Sequence, residues 1–475
     1  MEEMQQTRPV NPRRRKKTPF QIFKETYLPL IIAGTAVILI FVFIIGSIVR
    51  GIQYRQIEHQ ASLEASAAAQ AEFERQSAEA SAILSEAEAK AAGYDYDGAI
   101  ALLDSFSGDA ASFPQLAQKR EDYEAAKNNL VLWDDPSKVV NLSFQLLIAD
   151  PARAFTNADY KYSFNKNFVT TDEFSAILQQ LYENGYILIH MSDIVAEEDN
   201  AEGTSYFQTQ PLYLPEGKKP LIITQTNVNY NNYLIDSDDD RFPDKDGGGF
   251  ASRLLIDENN NLTCEMVDAE GNTVTGAFDL VPILESFIAT HPDFSYKGAR
   301  AVLALTGYDG LFGYRTNAEA ADYFGTFYYE EQKVFAGEIA NALRSRGYEL
   351  ACYTYSNIPY GDCSSAQIKA DLTSWTVEVL PIIGEVDMLV YAQKSDISSQ
   401  PGSYNTELYN TLKESGFKYF LGFVTDGNTW LTVEDHYIRQ GRILVDGNNM
   451  SNNPDWFNGM FDATAILDPA RVAVN

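Results

Sequence analysis

Residues 301–355 contain three patterned stretches in succession, namely AVLALT (301–306), YEEQKVFAGEIANALRSRG (329–347) and ELACYTY (349–355). The first and third are apolar runs of strand length. The second repeats apolar residues at the three-to-four-residue spacing of an amphipathic helix. A strand, a helix and a strand in this order favour parallel pairing with the helix packed outside the sheet. We therefore predict a β-α-β unit here.

The same alternation extends over the C-terminal 330 or so residues. Further strand-like runs are VVNLSFQLLIA (139–149), YILIHM (186–191), LIITQ (221–225), VDMLVYA (386–392) and KYFLGFV (418–424). Helical patterns separate most of them, such as TDEFSAILQQLYENG starting at a Thr cap. Six to eight units of this kind predict an α/β fold, a distorted (β/α) barrel with its functional site at the C-terminal strand ends. Residues 253–277 depart from the pattern and predict a β-hairpin insertion.

The N-terminal part of the chain has a different character. Residues 1–27 form a basic tail that includes Arg13, Arg14, Arg15, Lys16 and Lys17, and residues 28–49 are uncharged and apolar. Twenty-two helical residues span about 33 Å, enough to cross a bilayer. The basic side predicts a cytoplasmic N-terminus and an extracellular C-terminal domain. A cleavable signal peptide is the alternative, but its apolar region would normally be shorter.

Two helical segments are expected between the apolar helix and the barrel. Residues 50–92 are rich in Ala and Glu and predict a helical stalk, with dimerisation through this stalk as an alternative to simple spacing. Gly93 interrupts the pattern, and residues 93–136 predict a short helical hairpin. The barrel domain is then expected over residues 137–475.

Composition excludes several classes of protein. The formal net charge is −30, which argues against nucleic-acid binding because phosphate contacts need a basic surface. The three cysteines, Cys264, Cys352 and Cys363, do not make a disulfide framework or a zinc module. A single Cys352–Cys363 bridge stays possible beside the interpretation of three free thiols.

The residues that follow the predicted strands are amides, hydroxyls and phenols. They include Gln145 near the first strand, the run Gln225-Thr226-Asn227 after the second, and Tyr353 to Asn357 after ELAC. None of the four histidines pairs with another at metal-ligand spacing, so the residues themselves show no catalytic chemistry.

Residues 139–470 resemble the polysaccharide deacetylase family (the NodB-homology domain), in a membrane-anchored bacterial branch. The resemblance is carried by TTDEFSAILQQLYENGYILI, LPEGKKPLIITQTNVNY, FDLVPILESFIATHPDFSYKGARAVLALTGYDGLFGYRT, ALRSRGYELACYTYSN, DLTSWTVEVLPIIG and RQGRILVDG. It implies a distorted (β/α) barrel, a divalent metal such as zinc held by one Asp and two His, and hydrolysis of acetamido groups on amino-sugar polymers.

The functional residues that the resemblance implies are absent. Thr226 aligns with the general-base Asp of the family and Asn227 with its metal-binding Asp, whereas Tyr353 and Asn357 align with its two metal histidines and Gln145 with a first-strand histidine. Neutral amide and phenol oxygens are weak zinc ligands, and a Thr hydroxyl does not ionise near neutral pH. We therefore expect a pseudoenzyme without a metal cofactor, the alternative being an active deacetylase or other hydrolase with non-standard residues.

The expected ligand of this pseudoenzyme is a cell-envelope polysaccharide such as peptidoglycan, or a protein partner. The predicted substrate-binding groove is lined by Tyr230, Tyr308, Tyr314, Arg315 and Tyr353, whose rings and polar groups suit sugars.

Two further hypotheses concern acidic residues. Asp309, Glu385, Asp387 and Asp426 fall near predicted strand ends and would support metal-free glycoside chemistry if two of them faced each other across a cleft. The loop DSDDDRFPDKDGGG (236–249) is either a calcium site or a solvated acidic loop, and it departs from the EF-hand pattern.

Overall fold

The computed structural model describes residues 16–200, 202–238, 240–398, 404 and 406–471. Two compact units divide between Ser81 and Ala82. The basic residues Arg13, Arg14 and Arg15 of the predicted cytoplasmic tail lie outside the described residues, whereas Lys16 and Lys17 lie within them.

A single long helix dominates the N-terminal unit. It starts with a short helix Pro19–Ile22 behind a Thr18–Gln21 capping box, passes through a π-helical turn Phe23–Tyr27, and continues as α1 (Leu28–Ala92). Within the described residues, this is the one helix long and apolar enough to cross a membrane. The helix runs through both the predicted membrane segment and the predicted stalk without a break.

The second unit begins with the end of α1 and a helical hairpin. Helices α2 (Tyr96–Asp104) and α3 (Pro114–Asn128) bury Ala99, Leu103, Leu116 and Tyr123. The carbonyl of Gly93 accepts a hydrogen bond of 2.7 Å from the Lys297 backbone N–H. A Cβ atom at Gly93 would lie 2.9 Å from the Ser295 carbonyl oxygen, so this close approach requires glycine.

The main sheet of the second unit is a closed parallel barrel. Its seven strands are β1 (Val140–Phe144), β2 (Lys219–Thr226), β3 (Val302–Leu305), β4 (Glu349–Cys352), β5 (Met388–Val390), β6 (Tyr419–Phe423) and β7 (Tyr437–Leu444). They are hydrogen-bonded in the order β3-β4-β5-β6-β7-β1-β2, and pairing of Val302 with Thr224 closes the ring. The predicted α/β barrel is confirmed.

Two strands differ from the sequence prediction. The run at 186–191 forms only a short strand, Tyr186–Leu188, which pairs with the N-terminal half of β2. It is not one of the seven strands that close the barrel. The seventh barrel strand is instead β7, which the apolar pattern did not indicate. Arg439, Gln440 and Arg442 interrupt that pattern, and all three are buried.

Helices cover the outside of the barrel. The longer ones are α4 (Thr171–Glu183), α5 (Leu280–Thr290), α6 (Thr326–Ser345), α7 (Ser365–Ser374) and α8 (Glu407–Glu414). Thr170 and Glu173 form a capping box that starts α4, as the Thr cap in the sequence predicts. Short helices are Pro151–Ala154, Lys161–Asn167, Asn232–Ile235, Ala318–Phe324, Leu380–Ile383 and Gly447–Asn452.

Antiparallel strands decorate the barrel. The insertion at 253–277 is a three-stranded antiparallel sheet of Arg253–Ile256, Leu262–Val267 and Thr273–Gly276. The predicted hairpin therefore has a third strand. Other pairs are Val131–Trp133 with Leu212–Leu214, Val195–Asp199 with Ser205–Thr209, and Leu431–Glu434 with β7.

The interior of the barrel changes from apolar to polar towards the C-terminal strand ends. Apolar side chains such as Val302, Ala304 and Ile438 form one cluster, while Leu303 and Leu305 belong to the layer under the helices. Above this apolar interior, Asn141 accepts a hydrogen bond of 2.9 Å from Thr224 and donates one of 2.9 Å to Gln440. Because strand side chains alternate, the next inward positions are Ser143, Thr226 and Arg442, which carry polar groups to the mouth of the barrel.

Candidate functional site

A cavity of about 190 Å³ opens where the barrel strands end. Residues from β1, β2, β4, β5 and β7, or directly after them, line it, as expected for a parallel barrel. The lining consists of Ser143, Phe144, Gln145, Asn167, Thr226, Asn227, Tyr353, Asn357, Tyr391, Gln393, Lys394, Arg442, Leu444, Val445 and Asp446. The structure thus brings together all five positions that aligned with family catalytic or metal residues: Gln145, Thr226, Asn227, Tyr353 and Asn357.

The polar groups from β1 and β2 are held by backbone carbonyls. The Thr226 hydroxyl donates to the Phe144 carbonyl at 3.2 Å, and the Gln145 amide donates to the Asn167 carbonyl at 3.1 Å. The Thr226 proton is therefore directed at a neutral carbonyl rather than at a base.

Two asparagines occupy left-handed backbone positions in the wall. Asn227 has a φ of 63° and Asn357 a φ of 53°, a conformation that asparagine tolerates better than most residues. The Asn227 Oδ1 accepts from the Thr306 hydroxyl at 3.2 Å. The Asn357 Oδ1 is buried and has no hydrogen-bond partner within the described residues.

Tyr353 provides a half-buried aromatic ring to the wall, beside the buried Phe144 and Tyr391. It directly follows β4, and its backbone N–H donates to the Leu305 carbonyl at 2.7 Å. The residue is half-buried, so its phenol ring borders the cavity.

Arg442 of β7 carries a positive charge into the barrel and was missed by the sequence analysis. Its side chain is buried and donates to the carbonyls of Gly422 (2.8 Å) and Tyr391 (3.1 Å) and to the Ser143 hydroxyl (2.7 Å). Burial lowers the pKa of Arg442 to about 10. The sequence feature that could have indicated it is the run RILV (442–445), in which an arginine precedes three apolar residues. Once this run is recognised as part of a strand, the arginine is expected to point into the barrel.

Two further charges border the cavity. Lys394 is exposed and follows Gln393 in a turn where both residues have positive φ, 60° and 51°. The Asp446 carboxylate accepts from the Asn449 backbone N–H at 2.7 Å and caps the short helix Gly447–Asn452. Burial raises the pKa of Asp446.

The predicted aromatic groove is not formed, because only Tyr353 of its five residues lines the cavity. The Tyr230 ring is fully buried and its hydroxyl donates to Asp279 at 2.7 Å. Tyr314 is buried as well, and the Arg315 guanidinium donates to the carbonyls of Asp309 and Tyr230. These side chains hold loops together. The prediction is therefore corrected for Tyr230, Tyr314 and Arg315, whereas Tyr308 is half-buried outside this cavity lining and its role stays a prediction.

The donor set of the cavity does not fit the zinc-type metal that the family resemblance implies. Among the described lining residues, no histidine or cysteine is present, and the one carboxylate is engaged in capping a helix. The buried Arg442 guanidinium also places a positive charge where a dication would have to bind. A site of amides, hydroxyls and a cation lacks the ligands that zinc requires.

The acidic residues of the metal-free hydrolase hypothesis do not converge on this cavity. Glu385 and Asp387 precede β5 and therefore lie at the opposite end of the barrel. The Asp309 carboxylate accepts from the Asn232 backbone N–H at 3.0 Å, and that of Asp426 accepts from Asn428 at 3.0 Å. None of the four lines the cavity, so the expected pair of carboxylates across one cleft is not found there.

The acidic loop at 236–249 brings three carboxylates together. Ligand oxygens of Asp236, Asp238 and Asp244 lie within 4.8 Å of one another, and Asp239 lies outside the described residues. The Asp244 carboxylate already accepts from the Ser237 backbone N–H and hydroxyl at 2.8 and 2.7 Å. Calcium binding by this loop stays a prediction.

Comparison with known proteins gives a similarity to a solved structure. Neither a protein-family model nor a curated protein sequence matches the chain. Among solved structures, the chain is similar to the Streptococcus pyogenes deacetylase PplD, determined in complex with acetate, at 11% sequence identity and a TM-score of 0.34. The match covers 66% of this chain and 95% of that chain. The fold class of this protein rests on its own closed, seven-stranded parallel barrel, preceded by a long apolar helix.

Proposed function

We propose that this protein is a membrane-anchored, extracytoplasmic glycan-binding protein whose barrel has a polysaccharide-deacetylase-like form but no metal-dependent hydrolase activity. The observation that carries the proposal is the lining of the barrel-mouth cavity. Thr226, Asn227, Tyr353 and Asn357 meet there, at positions where the family that the sequence resembles has a base and metal ligands. A polar pocket is thus kept while the groups that activate water are missing.

The chemistry of the lining suits sugar hydroxyls. A hydroxyl both donates and accepts, so it suits a wall of neutral amide and hydroxyl groups such as those of Gln145, Thr226 and Asn227. The Tyr353 ring offers an apolar face to the C–H groups of a sugar ring. At about 30 Å³ per water, a cavity of 190 Å³ replaces roughly six waters, which bounds the inserted group to about one sugar ring.

Tyr353→Ala is expected to weaken glycan binding about tenfold, which corresponds to roughly 1.4 kcal/mol for the loss of one aromatic contact. Tyr353→Phe keeps the ring and should retain most of the affinity. Isothermal titration of the full-length protein in detergent, with N-acetylated chitooligosaccharides and soluble peptidoglycan fragments, measures the effect.

The matched control for this experiment is Tyr213→Ala, which removes an exposed tyrosine outside the cavity lining. The proposal fails if the wild-type protein binds none of these glycans, or if the Tyr213 and Tyr353 variants bind equally well. Metal analysis and an acetate-release assay on the same preparation address the alternative. Stoichiometric metal together with turnover would identify an active deacetylase and overturn the proposal.

The proposed membrane topology has the segment 28–49 in the bilayer, the basic N-terminus in the cytoplasm and the barrel outside. It is supported by the length of the apolar helix and by the basic residues that precede it. The three cysteines are free thiols; Cys264 and Cys352 are buried, whereas Cys363 is partly exposed. Cys363 therefore reports on which side of the membrane the barrel lies.

In intact cells, a membrane-impermeant maleimide is expected to label Cys363 and to leave Cys363→Ser unlabelled. Burial raises the pKa of the Cys363 thiol, so the reaction needs mildly alkaline buffer to supply thiolate. Labelling measured by mass shift only after the cells are lysed would place the barrel in the cytoplasm and contradict the topology.

A further inference from the structure

Arg442 is a buried cation that no carboxylate neutralises through a hydrogen bond within the described residues. Its three hydrogen bonds go to two carbonyls and a serine hydroxyl, all neutral acceptors. Transfer of a charge from water into a protein is costly unless an opposite charge or several hydrogen bonds offset the loss of hydration. A guanidinium has five N–H donors, and these three bonds use only part of that capacity. Its charge is therefore offset by neutral acceptors and by the Coulombic attraction of Asp396, without a hydrogen-bonded counter-ion within the described residues.

The Arg442 guanidinium borders the cavity at the barrel mouth and is not enclosed in the hydrophobic core. Ser143 and Tyr391, which accept from it, also line the cavity, so the charge lies directly beneath the space a ligand would occupy. In this less polar surrounding, its attraction for an anion is stronger than it would be at the protein surface.

Lys394 adds a second positive charge at the same cavity. Its side chain is exposed and attracts the Asp446 carboxylate across the lining, but forms no close ion pair with it within the described part of the chain. The lining contains one carboxylate, Asp446, whose charge is directed at the first turn of the helix that it caps. Two cations and one engaged carboxylate make this cavity cationic in a chain whose net charge is −30.

A second cavity adjoins the first one and provides space for a longer ligand. It measures about 480 Å³ and shares Gln393 and Lys394 with the first cavity. Two acids border it, but Asp396 is paired with Arg439 at 2.9 Å and Asp362 accepts from the Ser395 hydroxyl at 2.8 Å. A ligand that places one group over Arg442 therefore has room to continue past Lys394.

We propose that the site selects an acidic glycan: a sugar whose carboxylate or phosphate substituent binds between Arg442 and Lys394, while the adjacent sugar occupies the second cavity. This inference rests on the proposed glycan-binding function and specifies its ligand class. A guanidinium binds carboxylate and phosphate oxygens with paired N–H donors, and the lysine ammonium adds a point charge at the rim.

The test compares ligands that differ in the anionic group. Isothermal titration of the full-length protein in detergent uses N,N′-diacetylchitobiose against the disaccharide of N-acetylglucosamine and N-acetylmuramic acid, which adds a carboxylate. N-acetylglucosamine against its 1-phosphate forms the second arm and distinguishes phosphate from carboxylate. The acidic member of at least one pair is expected to bind about tenfold more tightly, and this preference should shrink as salt is raised from about 20 to 200 mM.

Lys394→Gln is expected to reduce the acidic-to-neutral affinity ratio several-fold. Because Lys394 is exposed, this variant should fold normally even if Arg442→Gln, which removes a buried hydrogen-bonding group, does not. Lys369→Gln, at an exposed lysine of α7 away from both cavities, is the matched control and should leave the ratio unchanged.

Equal binding of neutral and acidic ligands, or an unchanged ratio in Lys394→Gln, would overturn this inference and leave the proposed function standing. Absence of binding to every glycan would overturn the proposed function and the inference together.

Discussion

Replacing Asp396 by alanine is expected to lower the free energy of unfolding by about 3–5 kcal/mol, because it leaves the buried Arg439 without its counter-ion. The Asp396 carboxylate accepts from Arg439 Nη2 at 2.9 Å, and the two side chains are 3% and 0% exposed. The Nε and Nη1 atoms of Arg439 have no hydrogen-bond partner within the described residues. Apart from Asp396, the guanidinium is stabilised by stacking, with its Cζ atom 4.1 Å from the ring centre of Tyr404 and 5.3 Å from that of Trp430.

Denaturation of the full-length protein with guanidinium chloride, followed by tryptophan fluorescence, measures the change. Asp396→Asn keeps the shape and an acceptor oxygen but removes the charge, so it should give an intermediate loss. Glu330→Ala breaks an exposed ion pair with Lys333 and serves as the control, with an expected effect below about 0.5 kcal/mol. A loss for Asp396→Ala no larger than that of the control would contradict the prediction.

The fold was largely predictable from the sequence because apolar side chains mark most of the strands. Buried apolar residues predominate in the runs around β1 to β6, and parallel strands covered on both faces produce such runs. Strand β7 was not predictable in this way, because Gln440 and Arg442 point into the barrel and Arg439 is buried on its other face. Inward polar residues are stabilised by partners distant in sequence, such as Asn141 for Gln440 and Ser143 for Arg442.

The candidate site was predictable in part, for a topological reason. Residues at the C-terminal ends of parallel strands share one rim, so Gln145, Thr226 and Tyr353 had to come near each other once the barrel closed. Whether a tyrosine in a loop faces this rim or the core depends on packing that the sequence does not display. Tyr230 has a φ of 53°, and its hydroxyl is held by the buried Asp279 instead of facing a ligand.

Asp279 is expected to make the stability of the barrel depend on pH. Its carboxylate is fully buried and accepts from the Leu147 backbone N–H (2.9 Å), the Gln225 amide (2.8 Å) and the Tyr230 hydroxyl (2.7 Å). Burial raises the pKa of Asp279 from 3.8 to about 6, although the hydrogen bonds act in the opposite direction. Since the folded protein keeps this proton to a higher pH than the unfolded chain, the folded state binds more protons between about pH 4 and pH 6.

The stability contributed by Asp279 is therefore present at low pH and is lost as the pH rises through about 6. A difference of about two pKa units corresponds to about 3 kcal/mol. Asp279→Asn does not titrate, and its amide can keep the geometry: Oδ1 accepts from Leu147 and Gln225, while Nδ2 donates to the Tyr230 oxygen. The free energy of unfolding of the wild type minus that of Asp279→Asn should then fall by about 3 kcal/mol from pH 4 to pH 7.

Denaturant titrations of both proteins at half-unit pH steps measure this difference directly. Asp159→Asn, at an exposed aspartate, supplies the control for a change of one surface charge. A difference curve that stays flat, or that rises with pH, would show that the Asp279 carboxylate is not destabilised by its burial. In that case the three donors from Leu147, Gln225 and Tyr230 would stabilise the charged form enough to offset the loss of hydration.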